Sequence, residues 1–378
     1  GVFKYAPPTG FLALCSANLP ISDDIDPAQT DNDYPSKQFN AITYTGTGSS
    51  NAITGVGFQP DFVWFKKRNS TSNSNNRMVD SSRGVTKSVT ANSMAAEGTD
   101  TNGLTAFGSD GFTVGADENY NQSSDTYVAW CWRANGGTTA SNSSGTITST
   151  VQANQAAGFS IVTYTGGNGA WGASNQDTFG HGLSQAPELI MIKERTVTDQ
   201  WSVLHASMGA GGGSTPADNL LVLNSDAALY TNQSYKAFGG VMPTNTLVTV
   251  EGNTTNNPAG HVAYCWHSVE GYSKFGSYEG NGNADGPFVY TGFRPALFFV
   301  KPLVSNPWRV FDDKRNGFNP DNLSLAWDAN YADDNSYDID ILSNGFKVRG
   351  SNNATNQDGT TFVYGAWGSV PFKYNNTF

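Results

Sequence analysis

Short apolar runs separated by glycine- and asparagine-rich stretches make up most of this chain, and no window carries an apolar stripe at helical spacing. The runs "DFVWF" (61–65), "ELIMI" (188–192) and "ALFFV" (296–300) are apolar on both alternations, which predicts strands buried on two faces. The Ala-rich "NSMAAEG" (92–98) is too short to count as a helix. Glycine, present 42 times, takes positive φ cheaply, and the 12% of aromatic residues suit pleated surfaces. The pattern predicts an all-β protein.

The apolar runs recur in order, three times. One set opens "FNAITYTGTG" (39–48), the next "FSIVTYTGGNG" (159–169), the third "FGSYEGNGNADG" (275–286). Each continues through a turn ending in proline (Pro60, Pro187, Pro295) into an apolar run closed by a lysine (Lys66, Lys193, Lys301). A further anchor reads "MVDSSRG" (78–84), "WSVLHASMG" (201–209) and "WRVFDDKRNG" (308–317). Another is "SDGFTVG" (109–115) and "SNGFKVRG" (343–350), with "NTLVTVEG" (245–252) a weaker middle version. The last is "TYVAWCWRA" (126–134), "GHVAYCWHS" (260–268) and "TFVYGAWGS" (361–369), in which Trp132, Trp266 and Trp367 coincide and Cys131 and Cys265 face Ala366.

A unit of this size is a domain, and a sandwich or jelly roll is its natural all-β solution. The expectation is three tandem β-sandwich repeat domains of jelly-roll or lectin-like type, with the three tryptophans at equivalent positions; one interlocked assembly is the alternative. The boundaries are an N-terminal strand and acidic connector (1–38), repeat 1 (39–134), a linker (135–145), repeat 2 (146–274) and repeat 3 (275–378). The junction "HSVEGYSKFGSYEGNG" has no spacer, so repeats 2 and 3 are expected to abut rigidly.

The stretches "SGTITSTVQANQAAGFSIVTYTG", "VEGYSKFGSYEGNGNADGPFVYTGFRPA" and "DIDILSNGFKVRG", with the closing "VPFKYNNTF", resemble a family of bacteriophage virion proteins common in marine and cyanobacterial phages. The resemblance runs from about Phe3 to Phe378. It implies a tail-fibre-like or structural virion protein, located in the particle after assembly in the host cytoplasm. The opening "VFKYAPPTGFLALCSANLP" is similar to the segment that follows a SPRY or concanavalin-like lectin domain in that family, so residues 1–38 read as the remnant of such a domain. The resemblance carries over no catalytic residues.

The net charge of −11 disfavours nucleic acid and anionic membranes as partners, because phosphate binding needs a cationic face. No stretch reaches the roughly 18 apolar residues of a membrane helix. Cys15, Cys131 and Cys265 are too few for a disulfide scaffold, and a residue type replaced by alanine in one repeat reads as core filler. The four histidines (His181, His205, His261, His267) lie in repeat 2 at no zinc spacing. Asp80 with Arg83, and Asp312 with Arg315, form a recurring pair; a turn in which Asp accepts backbone N–H groups is favoured over a catalytic carboxylate.

No cofactor is expected. The stretches "ISDDIDPAQTDND" (21–33) and "DANYADDNSYDID" (328–340) offer oxygen ligands for Ca²⁺ without matching an EF-hand. Exposed aromatics among Asn, Asp and Gly suit sugars, whose apolar faces stack on rings; Trp171 and Tyr120 are the loop candidates. The sequence therefore points to a non-enzymatic virion protein, a tail-fibre or adhesion component that contacts a host-surface glycan, other virion proteins and copies of itself, a trimer being favoured. The alternatives are a capsid decoration protein and, less supported, a polysaccharide-degrading spike, which would need a pair of carboxylates.

Overall fold

The structure, a computed structural model, describes residues 34–69, 71–72, 75–231 and 235–369. The acidic connector, Cys15 and the closing "VPFKYNNTF" lie, wholly or nearly so, outside the described residues. The protein is all-β: three large antiparallel sheets, each faced by a small one. The first large sheet runs β1 (Phe39–Thr45), β9 (Thr126–Trp132), β3 (Phe62–Lys67), β4 (Arg77–Asp80), β5 (Lys87–Thr90), β6 (Gly98–Thr99). It is faced by β2 (Asn51–Thr54), β8 (Gly111–Val114) and β7 (Leu104–Gly108). The second runs β10 (Ala140–Asn142), β11 (Ser149–Asn154), β12 (Phe159–Thr165), β18 (Gly260–Trp266), β14 (Leu189–Glu194), β15 (Trp201–His205), β16 (Leu221–Val222), faced by β13 (Asp177–Gly180) and β17 (Leu247–Val250). The third runs β19 (Ser273–Glu279), β26 (Thr361–Trp367), β21 (Leu297–Pro302), β22 (Arg309–Asp312), β23 (Leu325–Ala326), faced by β20 (Phe288–Tyr290), β25 (Gly345–Val348) and β24 (Ile339–Leu342).

The central registers of the three large sheets coincide. Trp132 stands opposite Phe39 and Phe62, Trp266 opposite Phe159 and Leu189, and Trp367 opposite Ser273 and Leu297. Buried Pro60, Pro187 and Pro295 precede β3, β14 and β21 at a position where no ladder N–H is required. The residue after each proline then closes the turn: Asp61, Glu188 and Ala296 donate their N–H to the carbonyls of Trp132, Trp266 and Trp367 at 2.8, 2.7 and 2.7 Å.

At the far end of the sheets a second clasp recurs. The hydroxyls of Tyr44, Tyr164 and Tyr278 donate to the backbone oxygens of Tyr120, Thr255 and Thr355 at 2.6–2.7 Å. Buried Asn121, Asn256 and Asn356 accept from the amides of Thr47, Gly167 and Asn281. Gly46, Gly166 and Gly280 sit so close to the crossing backbone that a Cβ would lie 2.1, 2.1 and 2.2 Å from a carbonyl oxygen, so only glycine fits.

Two boundaries differ from the sequence expectation. The segment 135–145, expected as a flexible linker, carries β10, which pairs onto β11. Its start is pinned because the buried Asp61 carboxylate accepts the amides of Ala134, Gly136 and Gly137 at 2.7–2.9 Å. The third large sheet opens at Ser273, inside the range expected for the second unit, because backbone pairing with Trp367 starts two residues before Phe275.

Alternate residues of the late strands β9 and β26 face two cores, whereas the buried residues of β18 all join one. Cys131 and Ala129 point into the first sandwich with Val63, Phe65, Ile53 and Phe112. Ala366 and Tyr364 point into the third with Phe298, Phe311 and Phe346. The opposite faces, with Trp130, Trp132, Tyr264, Trp266 and Trp367, share one core to which all three sandwiches contribute. At its centre Trp132, Trp266 and Trp367 pack edge-to-face on one another, with centroids 6.1, 5.4 and 5.9 Å apart. That arrangement brings ring edges against ring faces, as the indole quadrupole favours.

The sandwiches therefore do not hang separately on the chain. An expected outcome is that Trp266→Ala costs about 3–5 kcal/mol, as for other buried large-to-small changes. Calorimetry and urea unfolding followed by both fluorescence and far-UV CD should show one transition shifted as a whole; three separable transitions would contradict a shared core.

Candidate ligand-binding cleft

The charged residues singled out by the sequence lie between the sandwiches. Asp80 and Arg83 are buried and paired, as are Asp312 and Arg315 at 2.7 Å. In each pair the carboxylate also caps its own turn, accepting the Arg amide at 2.9 and 3.1 Å. The same carboxylates reach across to a neighbouring sandwich. Asp80 accepts from the hydroxyl of Tyr264 at 2.8 Å, and Asp312 from Trp130 Nε1 at 3.0 Å. Each arginine then meets a second acid that binds an arginine of the neighbour: Arg83–Glu97–Arg195 between sandwiches one and two, Arg315–Asp333–Arg68 between three and one.

The second sandwich has His205 where the others have aspartate. All three stand opposite the first residue of the lysine-closed strand, Phe62, Leu189 or Leu297. His205 Nε2 lies 3.1 Å from the carbonyl oxygen of Tyr364, and its Nδ1 accepts the amide of Ser207 at 3.1 Å. This closes a ring in which sandwich one contacts two, two contacts three, and three contacts one. Two further sets of three contacts follow the ring in the opposite sense. Trp201 Nε1 donates to Thr90 O at 2.9 Å, Trp308 Nε1 to Val222 O at 3.0 Å, and Asn76 Nδ2 to Ala326 O at 3.1 Å. The buried ammonium groups of Lys193, Lys301 and Lys66 donate to the carbonyls of Met94, Ala227 and Ala329 at 3.1, 2.9 and 3.0 Å.

The cysteine and histidine side chains are likewise structural in placement. Cys131 and Cys265 are buried free thiols, and burial pushes both up, Cys265 to about 12. Neither is poised as a thiolate. Burial lowers His181, His205 and His261 to about 4. Among the described residues no group of three or more His, Cys, Asp or Glu side chains is placed to hold a metal ion. In the Asp-rich stretch 328–340, Asp333, Asp334 and Asp340 pair with arginines.

Tyr120 is not a loop aromatic. It lies in the short helix α1 (Glu118–Asn121), capped by Asp117, with its ring fully buried against Phe65 and its hydroxyl 2.8 Å from Asp100. The reason is the neighbouring Asn121 clasp, which turns the preceding side chain inward; Tyr120 is excluded as a ligand contact.

Trp171 is placed otherwise. It lines a cleft of about 480 Å³ with Asp199, Gln200, Leu220, Tyr230, Tyr235, Asn253 and Thr254. Sequence reasoning missed the other seven, because they come from four separate loops and no local pattern joins them. Trp171 and Tyr235 meet at right angles with centroids 5.2 Å apart, forming an aromatic corner. Gly252, at φ +76°, lies beneath the indole, where a Cβ would come within 2.4 Å of the ring. The indole's backbone oxygen accepts from Asn175 at 3.0 Å, and Glu251 takes the next amide, Gly172, at 2.6 Å. Tyr230 is fixed by two backbone hydrogen bonds to Leu220 at 2.9 and 3.0 Å. Asp199 Oδ1 accepts the Gln200 amide at 2.8 Å, and burial raises its carboxyl above the usual range.

The cleft belongs to the end of the molecule remote from the tryptophan cluster. Asp199 and Gln200 follow β14 beyond Glu194, Trp171 follows β12 beyond Thr165, and Thr254 precedes β18 before Gly260. Gly260 and Trp266 are six residues apart along β18, or roughly 20 Å. The first large sheet begins at Phe39 and the third ends at Trp367 beside the tryptophan cluster, with those two rings 6.5 Å apart.

Two outcomes test the ring. Arg83→Ala strands the buried Asp80 carboxylate and should cost about 3–5 kcal/mol in urea unfolding. For His205 the sign follows from its lowered pKa. Below about pH 6.5 the unfolded imidazole takes a proton that the folded one refuses until about pH 4. Stability is thus full above pH 6.5 and lost as pH falls toward 4. His205→Gln, whose amide can still donate to Tyr364 O, should show a shallower fall in melting temperature across that window than the unsubstituted protein.

No curated protein and no solved structure matches this chain. Residues 34–371 match the family described as a domain of unknown function, DUF7483, and the chain belongs to that family.

Proposed function

We propose that this chain is a structural component of a bacteriophage virion, in a tail fibre or adhesion device, that holds a host-surface glycan in the Trp171 cleft. The observation that carries the reading is the cleft itself: an aromatic corner with amide, hydroxyl and carboxylate groups, at the end opposite Phe39 and Trp367. An aromatic face with a few placed polar groups suits a pyranose, which has apolar faces and a hydroxyl rim. The motif resemblance to phage virion proteins supports the setting. Among the described residues Asp199 is the one carboxylate lining the cleft, and glycoside hydrolysis ordinarily needs two, so the site is read as one that binds without cleaving.

The closed ring of three sandwiches lies within one chain, and a homotrimer of such chains is a separate level of assembly. We therefore expect self-association to use surfaces outside the ring.

The test is an oligosaccharide array probed with the protein and with Trp171→Ala, together with antibody labelling of particles. Binding should fall at least about tenfold on loss of the stacking ring, since exposed aromatic contacts of this kind contribute one to a few kcal/mol. Labelling should mark the tail. Label confined to the head, or steady release of reducing ends from host polysaccharide, would overturn the reading.

A further inference from the structure

We infer that the Trp171 cleft takes an uncharged pyranose and rejects acidic sugars, with Asp199 setting that choice. The inference rests on the proposed glycan site and goes beyond it to the class of sugar.

The polar groups of the wall suit a sugar. Asp199 Oδ1 is taken by the Gln200 amide, which leaves Oδ2 to accept from a sugar hydroxyl. Gln200 and Asn253 each add an amide, and Trp171 and Tyr235 supply a face and a wall.

The charge balance selects among sugars. Among the cleft's lining residues there is one acid and no Lys, Arg or His. A uronate or sialate carboxylate entering beside Asp199 would meet a like charge in a partly desolvated wall, with no cation to offset it. Lys193 is committed to the backbone oxygens of Met94, Glu194 and Asp199, and Lys236, next to Tyr235 in the chain, is paired with Asp218 at 2.6 Å. The molecule's net charge of −11 adds repulsion at longer range. A neutral hexose or N-acetylhexosamine meets none of these penalties.

The test is an array of neutral hexose, N-acetylhexosamine, uronate-containing and sialylated oligosaccharides, with affinities then measured for the best of each class. The unsubstituted protein should prefer the neutral classes by about tenfold or more, the scale of one like-charge contact near a protein surface. Asp199→Asn keeps an acceptor for the Gln200 amide and should shrink that preference to within about threefold. Equal or tighter binding of acidic glycans, or an Asp199→Asn variant with unaltered preference, would overturn the inference while the glycan reading stood. Binding of no oligosaccharide at all would end both.

Discussion

Each large sheet has an inner face that only the other two sandwiches can cover, and this mutual burial is what the rest of the structure depends on. Trp132, Trp266 and Trp367 meet where the three faces converge, each the last residue of a late strand already paired on both sides. A sandwich alone would expose a row of aromatic rings together with buried charges such as Arg83 and Asp80. Large aromatic burial and the penalty for stranding a charge therefore act in the same direction. They make the ring a folding requirement as well as a packing preference.

The sequence revealed the elements of each sandwich better than their assembly. Prolines, lysines and tryptophans stood out because each repeats at a fixed place in a strand whose period is visible locally. The Asp–Arg pairs were recognised as turns, and they are turns. Their second role, accepting from Tyr264 and Trp130 across the ring, depends on contacts about 180 residues away that periodicity does not encode. His205 was hidden because a histidine does not look like an aspartate, though it stands at the same register position. Tyr120 misled for a related reason: "DENYNQSS" has the composition of a loop, and the clasp of Asn121 that buries the ring is again a long-range contact. Trp171 was legible because a tryptophan amid Gly, Asn and Ser has no strand to belong to. The rest of its cleft was not, since residues 199 to 254 reach it only through the fold.

The cleft owes its position to differences in loop length on a common frame. After the shared glycine, the first sandwich takes four residues to reach β2, whereas the second takes ten to reach β13, and Trp171 sits in that extension. The glycine beneath the indole and the glutamate at its loop give the ring a fixed seat. The strand ends are held by the tyrosine and asparagine clasps, so loops beyond them can vary without disturbing the ring.

Inequality among the sandwiches also has a consequence for folding. Asn76 occupies the position of Trp201 and Trp308, and the space an indole would fill is met instead by Trp327, stacked on Trp64 at 4.3 Å. Gly365 occupies the position of Trp130 and Tyr264, and Phe299 and Phe275 close over it within 3 Å of where a Cβ would be. Three identical interfaces would let a sandwich of one chain dock equally well into the ring of another, which is the route to exchange between chains. Here each interface carries its own volume match, and one of the three replaces the charged relay with a neutral histidine. A sandwich inserted at the wrong place would leave a cavity or strand a buried charge. The departures from repetition thus assign each sandwich one place in the ring, and they lie in the shared core, whereas the cleft that distinguishes the second sandwich lies outside it.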